Sequence, residues 1–260
     1  MGASPTLPLG TRAKTIKSAP SFVAPVPGCY ASAHRGLSSE VTENTVAAFR
    51  AAAEAGFRSV ELDCRLTRDG EVVVLHDAAL ERTTQDGNSR VAEMRYDELR
   101  SYSTKHGPIP RLDDLFSAMD GWTGVWNLEV KALKATEPML HLVDHHGLQD
   151  RVLVSSFDPD ALARSRDLAP DIPRALIASG LIDDADLAMA KELGCRWFNA
   201  SHEQLASKTV KTLRAKGFHV GAWTVNDAAT ARALAALGIS CVITDVRTVR
   251  AALGDVEPFL

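Results

Sequence analysis

SVELDCRLTRDGEVVVLH, residues 59–76, decides the fold of this chain. Val60, Leu62 and Cys64 alternate with Glu61 and Asp63, so an extended segment here puts an apolar row on one face and two carboxylates on the other. Two like charges roughly 7 Å apart on a strand face suit an open solvated surface or a bound cation. The next apolar run, VVVLH at 72–76, follows after TRDG, Thr67 to Gly70. That link is too short for a crossover between parallel strands and reads as a hairpin. With residues 66 and 71 facing each other, counting inward places His76 opposite Glu61, on the face that carries the carboxylates.

Outward from the hairpin, short apolar runs alternate with helical patterns, the rhythm of a parallel sheet or barrel. The runs are CYASAH (29–34), SVELDC (59–64), VVVLH (72–76), VWNLEV (125–130), VLVSSF (152–157), RALIA (174–178), CRWFNA (195–200), HVGAWTV (219–225) and CVITD (241–245). Nine strands are one too many for an eight-stranded barrel, and the hairpin removes the extra one. The predicted fold is therefore a (β/α)8 TIM barrel. NTVAAFRAAAEAG (44–56) is a clear helix, with Val46, Phe49 and Ala53 in one stripe, Asn44 as its cap and Gly56 as its stop. Residues 78–110 have no strong period and contain Gly87, Pro108 and Pro110. They read as an insertion after the second strand and its hairpin, a small subdomain or lid over the barrel mouth.

The chain has 260 residues, 45% hydrophobic and 24% charged, enough for one barrel domain, although length alone also accommodates two small domains. Its formal charge of −4, from 33 acidic and 29 basic residues, gives no basic excess for nucleic acid or an anionic membrane. No apolar run reaches the length of a membrane span, and no exposed apolar helix or aromatic belt is evident. Cys29, Cys64, Cys195 and Cys241 lie in or beside apolar stretches without metal-type spacing, so they read as buried thiols in a reducing, cytoplasmic compartment. Residues 1–28 hold five prolines, three basic residues and no acid, and read as a flexible or surface-wrapped leader.

In such a barrel the functional groups gather at the C-terminal strand ends and the loops beyond. Those ends carry His34-Arg35-Gly36, Glu61 and Asp63, His76-Asp77, Glu129 and Lys131, Ser155-Ser156, Trp223 with Asn226, and Thr244-Asp245. Glu129 and Lys131 repeat the alternate spacing of the second strand. A third carboxylate beside Glu61 and Asp63 makes an all-oxygen site suited to a hard cation, Ca²⁺ or Mg²⁺, rather than zinc. Ion pairing of these acids with Arg35, Arg65 or Lys131 is the structural alternative. His34 and His76 flank the group as an acid/base pair, and Arg35 and Lys131 are donors for a phosphodiester. No P-loop or dinucleotide-binding turn is present.

At these residues the sequence resembles the glycerophosphodiester phosphodiesterase family of phospholipase C-like phosphodiesterase barrels. The matching motifs are AHRG (33–36), ENTVAAF (43–49), VELDCRLTRDGEVVVLHD (60–77) with LERTT (80–84), NLEVK (127–131), SSFDP (155–159), WTVN (223–226) and ITD (243–245). Thr42 stands where the family usually has Pro, and Cys64 where it usually has Val. The resemblance implies acid/base catalysis by His34 and His76, phosphate contacts from Arg35 and Lys131, and a Ca²⁺ or Mg²⁺ site of Glu61, Asp63 and Glu129. It also implies that Trp223 lies near the alcohol part of the substrate. The expected reaction is hydrolysis of a glycerophosphodiester to glycerol 3-phosphate and an alcohol. A lysophospholipase D-like activity through the same site and a non-catalytic barrel that binds phosphate esters are the competing readings.

Overall fold

The structure is a computed structural model that describes residues 28–82 and 89–260. The leader reading falls on residues outside this range, apart from Gly28. Strands in chain order are β1 Tyr30–His34, β2 Ser59–Leu66, β3 Val72–Val74, β4 Ser103–Thr104, β5 Gly107–Pro108 and β6 Val125–Val130. They continue as β7 Val152–Ser156, β8 Arg174–Ala178, β9 Trp197–Ser201, β10 His219–Trp223 and β11 Cys241–Thr244. Each of the nine sequence runs overlaps one of these strands.

β1, β2, β6, β7, β8, β9, β10 and β11 pair in that order, all parallel, and β11 returns to β1. The ring is a closed (β/α)8 barrel. On β2 the period of two sorts the side chains: Val60, Leu62 and Cys64 join the shell packed under the helices, and Glu61 and Asp63 turn to the interior. The inner layer at the opposite end from the mouth is built on Tyr30, Leu153, Trp197 and Cys241, in a cluster against which the C-terminal Val256, Phe259 and Leu260 pack.

β3 pairs antiparallel with β2 outside the ring, so the TRDG hairpin exists, but its register differs by one residue from the sequence expectation. Leu66 faces Val72, and the ladder ends at Cys64 with Val74. The reason is the turn. The Thr67 N–H donates to the Glu71 carbonyl at 3.0 Å, and Gly70 at φ 90° closes a three-residue loop rather than a four-residue one. His76 is therefore not paired with Glu61. It enters the mouth from beyond the strand end, where the Arg65 Nε donates to its carbonyl at 2.8 Å.

The first helix spans Val46–Glu54, with Thr45 rather than Asn44 as its cap. Its fully buried residues are Ala48, Phe49 and Ala52, and Val46 and Ala53 of the predicted stripe pack half-buried against the same core. Asn44 instead sits at φ 58° and turns its side chain into the barrel mouth. Just before it, Arg35 at φ 56° and Gly36 at φ 80° make the tight bend after β1. A Cβ on Gly36 would lie 2.6 Å from the Ala48 carbonyl carbon.

The segment after β3 has its own small core of Val73, Leu75, Leu80, Val91, Met94, Leu99 and Ile109. β3 thus has two apolar faces, because Val72 and Val74 belong to the barrel shell while Val73 and Leu75 face this segment. Thr42, at the position where the related family usually has proline, ties the segment to the loop after β1. Its N–H donates to His106 Nδ1 at 2.9 Å, and its hydroxyl lies 2.7 Å from the same nitrogen. No helix among the described residues is long and apolar enough to cross a membrane, and all four cysteines are free and buried.

Two outcomes follow from these contacts. Gly36→Ala should destabilise the protein by about 2–3 kcal/mol, since it adds a left-handed strain to a backbone clash; an unchanged urea midpoint would contradict this. Thr42→Pro removes both the N–H and the hydroxyl contact to His106, worth on the order of 1–2 kcal/mol together, and should accelerate amide exchange across residues 103–108 while leaving the barrel strands protected.

Candidate active site

At the C-terminal ends of the strands lies a cleft of about 230 Å³. Seven of the eight residues singled out in the sequence line it: His34, Arg35, Glu61, His76, Glu129, Lys131 and Trp223. The eighth, Asp63, is fully buried behind them. The ladder explains the convergence, because Glu61 pairs with Asn127 and Asp63 with Glu129 between adjacent strands. Carboxylate oxygens of Glu61, Asp63 and Glu129 all lie within 4.8 Å of one another.

Arg35 and Lys131 hold this group together. Arg35 Nε is 3.2 Å from Asp63 Oδ2, and its Nη1 donates to Glu43 at 3.0 Å. The Arg35 backbone N–H donates to the Glu61 carboxylate at 3.1 Å. Lys131 Nζ lies 3.3 Å from Asp63 Oδ1 and is hydrogen-bonded to Glu129. The Asn44 amide donates to Asp63 Oδ2 at 2.8 Å. Arg65 takes no part, being directed to the His76 carbonyl.

The three carboxyl groups respond differently. Burial, then repulsion from Asp63 and Glu129, pushes Glu61 well above the ordinary range. Burial and Asp63 likewise raise Glu129. Burial alone would raise Asp63 too, but the charges of Arg35 and Lys131 and the Asn44 hydrogen bond hold it below its ordinary value. Two cations, Arg35 and Lys131, thus face three carboxylates, and ion pairing does not satisfy the whole cluster. The donors fit a hard cation. Asp63 Oδ1 meets the Lys131 ammonium at 3.3 Å without accepting a hydrogen bond, and the Glu61 carboxylate has one backbone donor and His34 Nε2 at 3.9 Å.

Each histidine is braced by a carboxylate through Nδ1. His34 Nδ1 is 2.8 Å from Asp245, which in turn accepts hydrogen bonds from Ser38 at 2.7 Å and Asn226 at 2.6 Å. Burial opposes that charge, yet the bonds from His34, Asn226 and Ser38 bring the Asp245 carboxyl down to about 2. His76 Nδ1 is 2.7 Å from Asp77, and burial lowers the His76 pKa despite that contact. Arg82 links Asp77 to Glu43, which also holds Arg35. In both histidines Nδ1 is committed to a carboxylate, which leaves Nε2 for a reacting proton.

Comparison with known proteins bears on this arrangement directly. Residues 34–248 match the Glycerophosphoryl diester phosphodiesterase family. The chain belongs to that family. A probable glycerophosphodiester phosphodiesterase 2 of Mycobacterium tuberculosis is 32% identical over 84% of this chain and 88% of its own length. A glycerophosphodiester phosphodiesterase of Caldanaerobacter subterraneus is 29% identical over 82% of this chain and 92% of its own. An Oleispira antarctica phosphodiesterase, solved in complex with the product sn-glycerol-3-phosphate, superposes with a TM-score of 0.82 at 27% identity, covering 86% of this chain and 96% of that one.

In this member of the glycerophosphoryl diester phosphodiesterase family, the strand-end pattern marks Asp77, Asn226 and Asp245 but gives them no task. The helix pattern assigns Asn44 to a cap, and nothing in the spacing singles out Glu43 or Arg82. Phe157, Asn127 and Asn199 also line the cleft, and Phe157 packs edge-on against Trp223 at 5.7 Å between centroids. Their signal is the inward phase of each strand, which a full period-two reading of β6, β9 and the run from β7 through Phe157 yields. Ser156 is structural, donating to the Val130 carbonyl and accepting from the Asp158 N–H. Asp245→Asn should leave the fold intact and lower kcat by roughly 10²–10⁴-fold, as expected when a histidine loses its orienting carboxylate. A kcat within threefold of wild type would remove Asp245 from the chemistry.

Proposed function

We propose that the cleft hydrolyses glycerophosphodiesters to glycerol 3-phosphate and an alcohol with the aid of a divalent cation, using His34 and His76 as the acid/base pair. The observation that carries this reading is the convergence, in one cleft, of two carboxylate-braced histidines, two cationic side chains and a three-carboxylate cluster. The related phosphodiesterase solved with its product sn-glycerol-3-phosphate supports the substrate class.

Glu61, Asp63 and Glu129 would hold the cation, Ca²⁺ or Mg²⁺. When bound, it supplies charge to acidify a hydroxyl or water and to polarise a phosphoryl oxygen. Arg35 and Lys131 neutralise the phosphodiester and the further charge that develops on its oxygens as phosphorus is attacked. One histidine takes the proton from the attacking oxygen through Nε2 as the new O–P bond forms. The other donates a proton to the alcohol oxygen as its bond to phosphorus breaks. Attack by the substrate's own glycerol hydroxyl gives a cyclic phosphate that water then opens with the proton roles reversed; attack by water gives glycerol 3-phosphate in one step.

Asp77 and Asp245 position the rings, and Trp223 with Phe157 forms the wall for the alcohol part. The Thr42–His106 tie and the Glu43–Arg82 ion pair support placing the segment 78–110 over the mouth. Buried free thiols support a reducing, cytoplasmic setting.

Purified protein supplied with Ca²⁺ or Mg²⁺ should release alcohol from glycerophosphocholine or another member of a glycerophosphodiester panel, and EDTA should abolish turnover reversibly. His34→Ala and His76→Ala should each reduce kcat by about 10²–10⁴-fold. Turnover insensitive to EDTA would sink the cation assignment, and no turnover of any panel member would favour a binding barrel.

A further inference from the structure

His34 and His76 are braced in unlike ways. The carboxylate behind His34, Asp245, is held by neutral donors, the Ser38 hydroxyl and the Asn226 amide. The carboxylate behind His76, Asp77, is held by a cation that has a second duty. Arg82 Nε donates to Asp77 Oδ2 at 2.5 Å, and its Nη1 and Nη2 donate to the two Glu43 oxygens at 3.1 and 2.7 Å. Glu43 Oε1 in turn accepts from Arg35 at 3.0 Å. An unbroken path of hydrogen bonds therefore runs from His76 through Asp77, Arg82 and Glu43 to Arg35.

A half-exposed arginine ion pair ordinarily contributes little to stability. The division of oxygens sets this one apart. Asp77 gives Oδ1 to His76 and Oδ2 to Arg82, while Glu43 meets Arg35 through Oε1 and Arg82 through both oxygens. Burial works against both charges, and hydrogen bonds from Arg82 lead the contacts that hold both carboxyl groups below their ordinary range. A planar guanidinium meets two carboxylates with fixed direction, which one ammonium on a flexible stem does not. The backbone that carries it is anchored as well, because Leu80, two residues earlier, is fully buried with Val73 and Leu75 in the small core after β3.

We propose that Arg82 is a positioning residue for two groups at once, aiming the His76 ring through Asp77 and the Arg35 guanidinium through Glu43. What those two groups do rests on the phosphodiesterase reading above; how they are held rests on the bonds alone. Arg82 is not among the residues that line the cleft. It acts by removing the freedom of Asp77 and Glu43 to turn. The two arms have separate consequences. Loss of the Asp77 arm disorients a proton-transfer group and falls on kcat, whereas loss of the Glu43 arm loosens a phosphate contact and falls on KM.

The test uses the full-length, Ca²⁺-loaded protein with glycerophosphocholine as substrate. Arg82→Gln should lower kcat by roughly 10–100-fold and raise KM several-fold, with the urea midpoint unchanged. Arg82→Lys should recover little of either, since it restores the charge without the fork. Added to Asp77→Asn, Arg82→Gln should cost less than about threefold in kcat, and added to Glu43→Gln it should change KM by less than about twofold. Proton–nitrogen NMR gives a readout independent of turnover: the His76 Nδ1–H held by Asp77 should exchange slowly in wild type and lose its signal in Arg82→Gln. Wild-type kcat and KM in Arg82→Gln overturn the proposal, as do full recovery by Arg82→Lys or losses that multiply in the paired variants. A urea midpoint that falls along with activity makes Arg82 structural and overturns it too. If wild type turns over no glycerophosphodiester, the phosphodiesterase reading falls, and the His76 signal still decides: kept in Arg82→Gln it ends the positioning role, lost it sustains that role.

Discussion

Asp63 is a carboxylate with no exposed surface, and its charge can persist only because Arg35, Lys131 and Asn44 all reach it. An unpaired ion so placed would cost several kcal/mol. Satisfying Asp63 fixes much of the mouth. Arg35 must leave β1 at a positive φ to point its guanidinium inward while its N–H meets Glu61. Gly36 must then turn without a side chain, since Ala48 occupies the space. Asn44 must take a left-handed turn ahead of the helix, and Lys131 must emerge from β6 beside β2. One buried charge thereby ties together the conformation of the loop after β1 and the neighbouring strands β2 and β6 that carry the other carboxylates.

The same arrangement stores an electrostatic imbalance. Two cations serve three carboxylates, and the deficit appears in Glu61 and Glu129, both raised by burial and by their neighbours' charge. The repulsion on β2 is thus only partly relieved within the protein, by Arg35, Lys131 and the Asn44 amide, all of which act on Asp63.

Most of this was legible in period-two patterns. Alternation on β2 and β6 separated helix-facing from interior residues, and the brevity of TRDG distinguished a hairpin from a crossover. What escaped was of two kinds. The hairpin register depended on whether Gly70 closes a three- or four-residue loop, a choice of turn geometry that hydrophobic pattern does not encode. The braces of the histidines depended on loops and distance. His34 and Asp245 are 211 positions apart, and only closure of β11 on β1 brings them together. Asn44 misled because a polar residue just before a helix ordinarily caps it. Here Thr45 performs that task and releases Asn44 to serve Asp63.

That closure gives the two histidines different dependence on the fold. His76 takes its carboxylate from the next residue, and the surrounding contacts are from the loop after β1 and the segment beyond β3. His34 ends the first strand and takes its carboxylate from beyond the last, with Asn226 after β10 and Ser38 after β1 meeting the same carboxylate. A partly folded chain could assemble the His76 side of the cleft by local contacts alone. The His34 side exists only when the ring is shut. Two braced histidines split in this way tie the geometry of the cleft to the pairing of β11 with β1, so that an open ring holding the carboxylate cluster would still lack an oriented His34.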